Sequence, residues 1–112
     1  SFAQSGKNAD WPEMTAFKAI KEANFTPAEK GNLAPLKANV ATIYKTAKVW
    51  MGSAVPSGYN TEKTQAAIKD LNIKCHDIWS KVEAKASDKE LKKLVKEANA
   101  LYNKIATECT IK

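Results

Sequence analysis

Three segments of this chain, Asp10-Trp11-Pro12-Glu13, Thr26-Pro27-Ala28-Glu29 and Ser87-Asp88-Lys89-Glu90, each set a side-chain oxygen three residues ahead of a glutamate. With that spacing the oxygen accepts from an unpaired amide of the first helical turn, and the glutamate returns a bond to the amide of the capping residue. Each box therefore marks a helix start. The four glycines and four prolines fall largely between periodic segments. A sandwich of short strands would need turn residues about every eight to twelve positions, so helices are the expected elements.

The apolar spacing fills in the segments between these signals. Helix 1 is expected from Asp10, with Met14, Phe17, Ile20 and Ala23 on one stripe at steps of three. Asn24 to Thr26 interrupt it, and Pro27 opens a short helical turn that stops at Gly31-Asn32. Helix 2 begins near Ala34-Pro35, carries Leu36, Val40, Ile43, Ala47 and Trp50, and ends at Gly52. The longest loop runs from Ser53 to Asn60. Asn60 or Thr61 caps helix 3, whose stripe is Ile68, Leu71, Cys75, Ile78 and Val82. Lys85-Ala86 is a tight connection, and helix 4 follows Ser87 with Leu91, Leu94, Ala98, Leu101 and Ile105.

Short connections make neighbours antiparallel, and alternating steps of three and four favour a shallow crossing angle. The predicted fold is all-α: an antiparallel up-down four-helix bundle with a short extra helical turn between helices 1 and 2. Leu36, Ile43, Ile68, Leu71, Leu94 and Leu101 are expected to share its core. At 112 residues the chain supports one core. Residues 10–112 form the expected domain, after a disordered run-in over residues 1–9.

Composition narrows the function. The net charge is +6, and all eighteen basic residues are lysine. Arginine is the planar fork that reads guanine edges and clamps phosphates, so its absence argues against nucleic-acid recognition. A lysine-rich solvated helical surface is the simpler reading. No apolar run is long enough to span a bilayer. Ser1-Phe2-Ala3 looks like the tail of a secretory signal peptide, which points to a periplasmic or secreted protein.

Few residues offer chemistry. His76 is the one histidine, and no Glu-x-x-His or His-x-x-Glu pair exists for a carboxylate metal centre. Cys75-His76 reproduces the second half of the C-x-x-C-H haem-attachment motif, but Asn72 occupies the first cysteine position. Met14 is a conceivable axial thioether partner; its place on the helix 1 stripe favours core packing. Cys75, His76 and Met14 are thus the candidate cofactor-binding residues of a second reading, a haem- or metal-binding bundle. Cys75 precedes the helix 3–4 turn by about eleven residues and Cys109 follows it by about twenty-three, so their levels differ by roughly 18 Å. A disulfide needs Cα atoms within about 7 Å, so no bridge within one chain is expected. No nucleophile lies beside a base, and no catalytic residue is assigned. Trp11, Trp50 and Trp79 read first as core or end packing rather than as an aromatic ligand platform.

The strings Trp11-Pro12-Glu13-Met14, Phe25-Thr26-Pro27-Ala28-Glu29 and Gly31-Asn32-Leu33-Ala34-Pro35-Leu36 resemble a family of small exported bacterial four-helix-bundle proteins. The likeness continues through Val55-Pro56, Gly58-Tyr59 and Ser87-Asp88 and covers most of the chain. It implies the same fold and export. Members of that family carry histidines where this chain has Lys18, Thr26, Asn99 and Asn103, which implies a metal or haem role for them. None of those ligands is kept here, and amides are poor transition-metal ligands.

The expectation is a non-enzymatic exported binding or accessory protein, of a metal-binding family but lacking the metal site. It uses no cofactor and no metal. Its partner is a small ligand or a protein, not nucleic acid, and it is a monomer or weak dimer. The alternative remains the haem- or metal-binding bundle built on Cys75-His76.

Overall fold

The structure is a computed structural model that describes residues 10–111. The run-in expected over residues 1–9 lies outside the described residues. Four helices account for most of the rest: α1 (Pro12–Glu29), α2 (Ala34–Met51), α3 (Thr61–Glu83) and α4 (Asp88–Glu108). α1 packs on α2, α2 on α3 and α3 on α4, and α4 closes back onto α1 along a shorter seam. The result is a four-helix bundle measuring 46 × 22 × 20 Å, long and narrow as side-by-side helices require.

Two of the expected caps form. The Asn60 side chain accepts from the amide of Lys63 at 2.9 Å, and that of Ser87 accepts from the amide of Glu90 at 3.1 Å. The other two boxes do not act as caps. α1 has Trp11, not Asp10, at its N-cap position, with no side-chain cap bond. Pro12 is the reason: it fixes the first helical φ and forces the preceding residue out of the helical region, so the start moves one residue along. Trp11 accordingly has φ −132° and ψ 88°, and its ring is anchored by a bond from Nε1 to Ser53 Oγ at 2.9 Å.

The Thr26 box is overrun. The turn at Pro27 is helical, but it continues α1 without a break. Proline within a helix costs about 3 kcal/mol. Here Phe25 and Ala28 flank it on the buried face, both fully enclosed, and burying a phenylalanine returns about 1.5–3 kcal/mol on its own. Asn24 supports the same turn from inside. Its Nδ2 donates to the Ile20 carbonyl at 2.7 Å, and its Oδ1 accepts from Asn39 of α2 at 3.0 Å.

α1 and α3 end in the same way. Asn32 N donates to the Pro27 carbonyl and Gly31 N to that of Ala28; Ala86 N donates to Lys81 and Lys85 N to Val82. Both are Schellman turns, which need one left-handed residue. Gly31 supplies it at φ +99°, but at the second site Lys85 does so at φ +59°.

The stripes of α2 and α3 match their expected residues, apart from Val82, which packs half-buried on the core. α1 differs: Phe17, Asn24, Phe25 and Ala28 face inward, Met14 and Ile20 are half-buried and Ala23 is exposed. α4 differs too. Its core positions are Leu91, Val95, Ala98, Tyr102 and Ile105. Leu94 and Leu101 pack on the flank, half-buried, instead of sharing the core centre with Leu36, Ile43, Ile68 and Leu71. Both versions of the α4 stripe share Leu91, Ala98 and Ile105. Apolar residues at 94, 95, 101 and 102 leave the rotation between them undetermined by spacing.

One contact has no precursor in the helix pattern. Asn60 N donates to the Cys109 carbonyl at 2.8 Å and Ile111 N to that of Gly58 at 2.7 Å, so Tyr59 and Thr110 form an antiparallel bridge. This bridge ties the end of α4 to the start of α3 and fixes Tyr59 against the bundle end.

Candidate functional site

The residues singled out in the sequence are kept apart by the fold. Cys75 points into the core at 1% exposure, and burial pushes its thiol up to about 12. Its neighbour His76 faces outward, about 100° around the helix. The imidazole lies against Tyr44 of α2 and Trp79, with ring centroids 5.3 and 6.3 Å away. Thiol and imidazole therefore serve different surroundings and do not converge on one ligand. Met14 lies at the far end of α3, where Tyr59 Oη donates to its Sδ at 3.4 Å. That is roughly four helical turns from Cys75. Among the described residues, no three His, Cys, Asp or Glu side chains cluster as a metal site would require.

Cys75 and Cys109 are both free and buried. The Asn60–Cys109 bond sets Cys109 at the start of α3, and Cys75 stands fifteen residues further on, about 22 Å along the axis. The four positions where the resembled family has histidine lie on α1 and α4. Lys18, Thr26 and Asn103 are exposed there. Asn99 Nδ2 donates to Glu29 Oε2 at 2.9 Å, an amide–carboxylate bond between the two helices.

A sizeable concavity lies elsewhere. The α1–α2 turn, through Gly31 and Leu33, faces the first three turns of α4 across an open groove of about 950 Å³. Leu33 is 5% exposed and forms an apolar floor. Lys89, Lys92, Lys93 and Lys96 line the α4 wall, with Asp88, Glu90 and Glu97 interspersed. Those three carboxylates are already engaged. Asp88 pairs with Lys37 at 3.1 Å, Glu90 with Lys81 at 3.3 Å and Glu97 with Lys74 at 2.8 Å, so lysines of α2 and α3 neutralise them. The hydrogen bond from Lys74, with the charges of Lys74 and Lys93, holds the Glu97 carboxyl below its usual range despite some desolvation. Among the described residues, none of the four wall lysines has a carboxylate within ion-pair distance. Their charge is left facing the groove, at the end of α4 where acidic caps and N-terminal amides meet.

The lysine richness of helix 4 is readable in the sequence. Its pairing pattern is not, because the partners Lys37, Lys74 and Lys81 come from helices distant in sequence. Comparison of the chain with protein-family models, with curated proteins and with solved structures finds no match.

Proposed function

We propose that this chain is a non-enzymatic binding or accessory protein that engages an acidic protein partner through the groove along α4. One observation carries the reading: four lysines share a concave wall whose carboxylates are already paired with other lysines. Lysine ammoniums are strongly hydrated point charges on apolar stems. Over a floor such as Leu33 they suit an acidic peptide with some apolar surface better than a phosphate backbone. Carboxylates arriving at the groove gain opposite charge without displacing an existing ion pair. The resemblance adds export to the proposal, and also descent from a metal-binding family whose ligands this chain has exchanged.

A haem or metal centre on Cys75-His76 draws no support from the geometry. A thioether needs an accessible thiol, and Cys75 is enclosed.

The test is titration of a labelled polyglutamate peptide, followed by fluorescence anisotropy at low and high salt. The expected result is saturable binding that weakens steeply with salt, as pairing at an exposed surface must. Replacing Lys89, Lys92, Lys93 and Lys96 by glutamine should abolish it. Replacing Lys45, Lys48, Lys63 and Lys69, which removes the same charge elsewhere, should leave most of it. Equal losses from both variants would reduce the effect to net charge and refute the groove. Tighter binding of duplex DNA than of polyglutamate would refute the protein-partner reading. Fractionation of the native host tests export: recovery in the cytoplasmic fraction would contradict it.

A further inference from the structure

The opposite end of the bundle holds a second concavity, independent of the lysine groove. Trp11, Met14 and Lys18 face Tyr59 and Tyr102 across a cleft of about 220 Å³, with Asp10 also lining it. The cleft opens where α1 meets α4 along their shorter seam. Its walls are already packed. Trp11 meets Tyr59 edge-on at 5.1 Å and Trp50 at 5.6 Å. Tyr102 is backed by Phe17 at 6.2 Å and Trp50 at 5.9 Å, and the Lys21 ammonium sits 4.8 Å from its ring centre. A ligand entering here would have little ordering of side chains to offset.

The two phenols of the cleft have a weak protein acceptor or none among the described residues. Tyr59 and Tyr102 are 6% and 7% exposed. Among the described residues the Tyr59 hydroxyl donates only to the Met14 thioether, a weak acceptor, at 3.4 Å. Among the described residues the Tyr102 hydroxyl donates to no protein acceptor. Burial raises both phenols above their ordinary value; Cys109 adds to this for Tyr59, and Tyr59 and Glu22 add to it for Tyr102. At neutral pH both are therefore O–H donors. Lys18 brings a positive charge to the same cleft, and among the described residues Asp10 makes no ion pair with it. One phenol held only by a thioether, a second with no protein acceptor among the described residues, a cation that Asp10 leaves unpaired, and walls of indole, phenol and thioether define a ligand with an acceptor-rich anionic head and a flat apolar body.

Size narrows it further. A preformed apolar cavity of about 150 Å³ holds one benzene ring. The present cleft, at about 220 Å³, has room for one ring and a small head group. We propose that it binds a monocyclic aromatic carboxylate of the size of benzoate. The ring lies against Trp11 and Met14, and the carboxylate accepts from the Tyr59 and Tyr102 hydroxyls beside Lys18.

The test uses the full chain and benzoate as the probe, followed through the indole N–H signals in two-dimensional NMR. Benzamide keeps the ring without the charge, and acetate keeps the charge without the ring. The expected result is saturable binding of benzoate that shifts the Trp11 indole signal, with benzamide and acetate each at least about tenfold weaker. Tyr102→Phe and Lys18→Met should each weaken benzoate by about tenfold or more. Lys18 is exposed, so its variant keeps the fold even if the tyrosine variant does not. Absence of saturation overturns the proposal. So does binding that acetate matches, or that both variants leave unchanged. Loss on neutralising Lys89, Lys92, Lys93 and Lys96 would move the ligand to the other groove and equally overturn it.

Discussion

Thr64→Val should stabilise this protein, against the usual direction of a core substitution. Thr64 is in the second turn of α3 at 0% exposure, and its Oγ1 has no hydrogen-bond partner among the described residues. An enclosed hydroxyl without a partner costs about 1–3 kcal/mol. Valine replaces it by a methyl group of nearly the same size, keeps the β-branch and has about the same helix propensity. The net gain should be about 1–2 kcal/mol. Unfolding entropy of about 2.1 cal/mol/K per residue, over a chain of 112 residues, makes each kcal/mol worth about 4 °C, so Tm should rise by about 4–8 °C. Urea unfolding followed by circular dichroism gives the free energy, and an unchanged slope would show that the same surface is exposed. Thr64→Ser is the control. It keeps the hydroxyl and opens a void, and it should lose about 1 kcal/mol. If valine lowers the midpoint instead, the hydroxyl is satisfied in solution, by water or by the Asn60 carbonyl one turn back. The polar accounting at this end of α3 would then be wrong.

Leu71→Ala should cost about 2–5 kcal/mol in the same assay, because a fully enclosed leucine is replaced by a cavity at the bundle centre. Lys85→Gly should add about 1 kcal/mol, since a non-glycine residue at φ +59° bears left-handed strain that glycine lacks; no gain would mean that the Schellman turn relaxes in solution. Neither Cys75 nor Cys109 should react with an alkylating reagent in the native state, and both should react in urea; a monomer lighter by two hydrogens would contradict the separation of their levels. Stability should also fall in alkali. The unfolded Cys75 thiol ionises near its ordinary value of 9.0 while the folded one keeps its proton to about 12. Its contribution is therefore full below pH 9 and lost between those limits, with Tyr59 and Tyr102 acting in the same direction. A urea midpoint as steep in pH for Cys75→Val as for the native chain would remove Cys75 as the cause.

The legible parts of the fold were those set by local spacing. α2 reads directly because Leu36, Val40, Ile43, Ala47 and Trp50 leave one rotation open and Gly52 follows them. Ser87 and Asn60 cap as read, each side chain accepting from the amide three residues on. Where a local signal met tertiary burial, burial won. Thr26-Pro27 carries a start signal, yet Phe25 and Ala28 hold α1 through it. On α4, apolar residues at adjacent positions allowed two rotations, and contact with both α1 and α3 chose between them. Little of either concavity was readable. The lysines of α4 were visible as composition, but the pairing of the groove carboxylates with Lys37, Lys74 and Lys81, which leaves the four wall lysines without a carboxylate partner among the described residues, depends on α2 and α3. Tyr59 and Tyr102 are 43 residues apart; they meet because the Tyr59–Thr110 bridge folds the loop onto the end of α4. Cys75-His76 failed as a paired site for a geometric reason present in any helix: adjacent residues diverge.

The most direct test of the acidic-partner proposal is amide chemical-shift mapping of the uniformly labelled chain during titration with polyglutamate. Shifts should concentrate at Gly31, Leu33 and the α4 segment 87–97, with the Lys89, Lys92, Lys93 and Lys96 amides moving together on one binding curve. Shifts spread over the exposed lysines of all four helices, or centred on another face, would contradict it.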